Sequence, residues 1–85
     1  MFQPGSSLTI PHARAELEAG LKAIARGEAQ FDMASVKEID SAAVATLLAW
    51  QRAARQNGRS LSFSNMPQSL LSLARLYGVD GFLAA

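Results

Sequence analysis

The chain has 85 residues, of which 49% are hydrophobic and 18% charged, a balance that predicts one packed domain and excludes a disordered chain, which is poor in apolar groups and rich in one sign of charge. Eight Lys/Arg against seven Asp/Glu leave a net charge of +1, far from the basic excess that drives phosphate-backbone binding, so nucleic acid is not an expected partner. Cysteine is absent and His12 is the only histidine, which removes disulfides, thiolate zinc sites and cysteine nucleophiles and leaves little for a histidine metal cluster or a Ser/His/Asp triad.

Phe2 to Ser7 carries Pro4-Gly5-Ser6-Ser7 and offers at most a short edge strand. Leu8, Thr9 and Ile10 lead into Pro11, a residue suited to the first position of a helix. Ala13, Leu17, Leu21 and Ile24 then recur at three- and four-residue steps, the apolar stripe of an amphipathic helix of roughly four turns, with Gly27 as its left-handed stop. Ala29 to Met33 alternates Ala29, Phe31 and Met33 with Gln30 and Asp32, the two-residue period of a half-buried strand.

After a loop holding Val36 and Ile39, Asp40 and Ser41 open a second helix, because either side chain accepts from unpaired first-turn amides. This helix runs to Asn57 and is capped by Gly58. Ala43, Val44, Leu47, Leu48, Trp50 and Ala54 share one broad arc, while Arg52, Gln56 and the small Ala45, Ala49 and Ala53 lie largely on the other side, leaving it low and smooth. Ser60 to Ser64 alternates serines with Leu61 and Phe63 and reads as another strand. Asn65-Met66-Pro67 starts a third helix that buries Leu70, Leu73, Ala74 and Tyr77, with Leu71 alongside. It stops at Gly78, and Val79 folds back over its last turn. Phe82 and Leu83 follow.

Strands that alternate with helices imply an α/β fold, with a small sheet that is parallel where a helix makes the crossover. Phe31, Met33, Leu61 and Phe63 are expected to face Leu17, Leu21, Val44 and Leu47. No apolar run approaches the roughly 20 residues that span a bilayer, and the N-terminus lacks the basic start and apolar stretch of a signal peptide. A cytoplasmic protein without membrane insertion is expected.

The inventory of reactive groups points away from catalysis. Asp32 and Asp40 are better read as a polar strand position and a helix cap than as an acid/base pair. Ser41 has no base to activate it, and His12 reads as solvated. Neither a glycine-rich phosphate loop nor a ligand-spaced acidic cluster is present, so no cofactor or metal is expected. Arg52, Arg55, Arg59 and Arg75 face Asp80 alone after residue 50; a solvated helix face explains them first, and a docking site for an acidic partner second. Trp50, at the edge of its apolar arc, fits a core residue or an interface anchor.

The order of these elements, together with the run Asp32-Met33-Ala34-Ser35-Val36-Lys37-Glu38-Ile39-Asp40-Ser41-Ala42-Ala43-Val44, resembles the STAS domain family of sulfate transporters and anti-sigma factor antagonists. In that family a strand ends in Asp-Leu-Ser or similar, and a Val-x-x-(Val/Ile)-Asp-(Ser/Thr) turn leads into an apolar helix. The matching positions are Asp32, Val36, Ile39, Asp40 and Ser41. Gly58-Arg59-Ser60-Leu61 and the stretch from Asn65 to Val79 are similar to the MlaB-type branch. The likeness spans Leu8 to Leu83. Ala43 stands where many members have Gly, and the N-terminal strands are reduced to Phe2 to Ile10.

The resemblance implies a small STAS-like fold, a short mixed β-sheet with helices packed on it, working as a non-catalytic protein-interaction module. It implies a cytoplasmic accessory subunit that binds and supports the ATPase subunit of an Mla-type phospholipid ABC transporter, peripheral to the inner membrane through that complex. The docking patch would be Asp40, Ser41, Ala45, Ala49 and Arg52. The alternative it leaves open is an anti-sigma factor antagonist whose Ser41 is phosphorylated by a partner anti-sigma factor kinase.

Overall fold

The computed structural model describes the backbone of residues 1–83 and the side chains of residues 1–81; any packing of the Phe82 and Leu83 side chains lies outside the described residues. The element order is β1 (Ser7–Leu8), α1 (Ile10–Ala25), β2 (Gln30–Asp32), β3 (Glu38–Ile39), α2 (Ser41–Gln56), β4 (Ser62–Ser64), α3 (Gln68–Leu76) and α4 (Asp80–Leu83). This is the expected α/β alternation.

The strand pairs are all parallel among the described residues: β1 with β3, and β2 with β4 in the register Phe31 to Phe63. They form two two-stranded sheets, where the sequence had suggested one mixed sheet. A parallel bridge between Phe2 and Phe31 extends the β2 side. The N-terminal segment therefore runs beside residues 30–39 in two short contacts. Between them, Ser6 turns its carbonyl to the amides of Lys37 and Glu38 at 2.7 and 3.0 Å. The residues expected to form a loop before Asp40 thus supply β3, and Val36 beneath them is buried.

All three long helices end as the glycines predict. Gly27, Gly58 and Gly78 adopt φ of 97°, 72° and 71°. In each case the next residue's amide returns to a carbonyl five residues back: Glu28 to Ala23, Arg59 to Ala54 and Val79 to Ala74. This is the six-to-one bond that satisfies carbonyls left over at a helix end.

The core joins Leu8 and Ile24 to Phe31, Met33, Val44, Leu47, Trp50, Leu61 and Leu70. Full burial of a large apolar side chain contributes roughly 1.5 to 3 kcal/mol, so these residues dominate the fold's stability. Phe31 is central among the aromatics, with ring centroids 4.6 Å from Phe2, 5.0 Å from Trp50 and 6.2 Å from Phe63. Trp50 is wholly buried, which settles it as a core residue.

Two expected core residues are not buried. Leu21 is 37% exposed and Tyr77 51% exposed. Along α1 the buried set is Gly20, Ala23 and Ile24, so the stripe turns away from Leu21. The cause is Trp50: its indole lies over Gly20 and donates from Nε1 to the Leu17 carbonyl at 3.0 Å. At the other end of the chain, Leu70 and Ala74 make the contact of α3 with the core while Leu73 is only half-buried, and Tyr77, the cap residue, falls outside that stripe.

Candidate docking surface

The site begins where two helices start together. Asp40 precedes α2 in an extended conformation, and its Oδ1 accepts from the Ala42 amide at 2.8 Å. Its Oδ2 accepts from the Ile10 amide, the first of α1, at 3.0 Å. One carboxylate thereby serves donors at two helix N-termini, where unpaired amides and the helix dipoles favour negative charge. The cap was expected; the tie to α1 was not, because Thr9 and Asp40 are far apart in sequence. Thr9 makes no side-chain cap for α1, so Asp40 supplies what the local residue does not.

From that shared start α1 and α2 lie side by side, with Trp50 meeting α1 at Leu17 and Gly20. A shallow groove of about 660 Å³ runs between them. Leu17 and Leu21 form one wall and Ala42, Ala45, Thr46 and Ala49 the other. Arg14 and Glu18 pair at 3.5 Å on the rim. Thr46 keeps its hydroxyl within the helix, donating to the Ala42 carbonyl at 2.8 Å.

Ser41, Ala45 and Arg52 are exposed and Ala49 is half-buried. At 3.6 residues per turn these four follow one side of α2, the side opposite Ala43, Leu47, Trp50 and Ala54. The structure therefore brings the expected patch together as a stripe. It divides that stripe between two depressions: Ala45 and Ala49 line the α1–α2 groove, whereas Arg52 lines a second one with Leu48 and Val79.

Asp32 is separate from this patch. Its carboxylate accepts from Asn65 Nδ2, Gln3 Nε2 and the Ala34 amide, each at 3.0 Å. These bonds, the Asn65 one foremost, hold its pKa below the ordinary carboxylate value. Asp32 and Asp40 each serve their own donors and play structural parts, as their sequence positions had indicated. His12 is exposed, and no cluster of three metal-ligating side chains exists among the described residues. No helix among them is long and apolar enough to cross a membrane.

Two residues that sequence reasoning passed over shape the surface from beneath. Gln51 is 4% exposed. It clasps the Leu61 backbone from both sides, donating to its carbonyl at 3.1 Å and accepting from its amide at 3.0 Å. Gly20 allows Trp50 to approach α1. A buried glutamine inside an apolar arc was the only available sign of the first; a glycine in mid-helix was the sign of the second.

Short parallel strands alternating with helices, and a low exposed helix face beginning at an Asp-Ser start, define a STAS-like protein. Residues 5–84 match the family described as "Mlab, STAS domain", and the chain belongs to that family. A comparison with curated proteins gave no match. Membership makes the chain a protein-interaction module of a generally non-enzymatic family.

Proposed function

We propose that the protein is a non-catalytic, cytoplasmic accessory subunit that docks on the ATPase of an Mla-type phospholipid ABC transporter, using the Ser41 end of α2. One observation carries this reading: the exposed stripe Ser41, Ala45, Arg52, with half-buried Ala49, beside the α1–α2 groove. Alanine side chains let another backbone approach closely, so a partner helix can pack there without displacing anything. The cap on Asp40 fixes the direction of α2 and hence the placement of the Ser41 hydroxyl.

Ser41 in this reading acts through packing and hydrogen bonding. An acid at this position suits the helix dipole and leaves the fold intact, but it adds charge where the partner must approach. Pull-down of the cognate ATPase should therefore survive Ser41→Thr and fail with Ser41→Asp, both variants melting near the wild type. Intact-mass measurement on protein from its own host separates the alternative: a substantial species heavier by about 80 Da, one phosphate, mapped to Ser41 would make the chain an anti-sigma factor antagonist controlled by a kinase.

A further inference from the structure

The second depression has a different character from the α1–α2 groove. It measures about 490 Å³ and is lined by Leu48, Gln51, Arg52, Arg55, Gln56 and Val79. Leu48 and Val79 pack against the core from its floor. Two guanidinium groups belong to its lining and no carboxylate does. Asp80, which follows Val79, lies 4.0 Å from Arg75.

Its shape excludes a small ligand. Five of the six lining residues come from the second half of α2 and one from the turn after α3, so the trough has a long wall and one far edge. A small molecule binds where 70 to 90% of its surface is enclosed, and this trough encloses much less. Leu48 to Gln56 spans about 12 Å along the axis at 1.5 Å per residue, the length of two turns of a facing helix. Arg52 joins this trough to the Ser41 stripe, so one partner can cover both.

We propose, resting on the docking reading above, that this trough receives an acidic amphipathic helix of the same partner. Its apolar side chains lie on Leu48 and Val79, and its carboxylates meet Arg52 and Arg55. The chemistry is that of a helix laid in a groove, with apolar anchors at turn spacing and charged pairs at the rim that set orientation and association rate.

The test uses Gln56, an exposed residue of the last turn of α2, so that its replacement spares the core. Affinity for the full-length cognate ATPase is measured by calorimetry for the wild type, Gln56→Glu, Gln56→Lys and Ser41→Asp. Gln56→Glu should weaken binding and Gln56→Lys strengthen it, each by about two- to fivefold, and both differences should shrink in about 0.5 M salt. If Ser41→Asp abolishes binding while both Gln56 variants match the wild type, the trough is not contacted and the docking reading stands without it. Two Gln56 variants shifted in the same direction would also overturn the proposal. A wild-type chain that fails to bind the ATPase would overturn the docking reading itself.

Discussion

Asp32 and Asp40 look alike in sequence, each an aspartate beside a serine-containing turn, and they do different jobs. Asp40 serves the amides of Ala42 and Ile10. Asp32 ties the N-terminal segment at Gln3, the turn at Ala34 and the end of β4 at Asn65. Asn65 sits at φ 55°, a left-handed conformation that asparagine tolerates better than most residues. Because these bonds lower the Asp32 pKa in the fold, the stability they add is complete above the unfolded-state value near 4 and is lost as pH falls through the lowered folded value. Thermal melts of the wild type and Asp32→Asn should differ most at neutral pH and converge between about pH 4 and pH 2. Parallel pH profiles for the two proteins would show that the carboxylate carries no such load.

At the scale of elements, the contact between α1 and α2 turns on Trp50 and Gly20. Alanine in place of a mid-helix glycine ordinarily stabilises by about 0.5 to 1 kcal/mol. Here a Cβ at position 20 would collide with the buried indole at Nε1, Cε2 and Cζ2, and overpacking of a filled core costs typically 1 to 3 kcal/mol. The collision outweighs the helical gain, because Trp50 is fully buried and tethered to Leu17. Gly20→Ala should lower the melting temperature by roughly 5 to 15 °C for a domain of this size. A melting temperature raised by the substitution would mean that the indole has room to move.

The same contact shows where sequence patterning ran out. The glycine stops, the Asp40 cap, the α2 core arc and the β2–β4 alternation were legible because each depends on neighbours in the chain. Phe31, Met33 and Leu61 went to the core as their alternation required. Leu21 did not, because the depth of α1 in the core is set by an indole contributed from 30 residues further on. β3 was read as a loop because two residues, Glu38 and Ile39, show no period, and their partner at Ser7–Leu8 lies across the whole of α1. Gln51 was hidden for the same reason: its backbone partner Leu61 belongs to another element. Within the candidate site, the α2 stripe followed from helical spacing alone. The groove beside it needed α1 in place.

For the whole molecule, a chain of this size buries a smaller fraction of its surface than larger domains do, and a partner that binds only the folded form adds stability by mass action. The docking account places that partner on α2, with the α1–α2 groove on one side of the stripe and the Arg52 trough on the other. Its central claim is that the low face at Ala45 must stay low. Ala45 is exposed, so a long side chain there extends into solvent and leaves the core unchanged, while it occupies the space a partner backbone would need. The decisive measurement is calorimetric binding of the cognate ATPase to the wild type and to Ala45→Arg, with thermal melts of both. The account predicts melting temperatures within a few degrees of each other and affinity for Ala45→Arg reduced at least about tenfold, the equivalent of about 1.4 kcal/mol. Full-strength binding by a folded Ala45→Arg protein would contradict it and place the docking surface elsewhere.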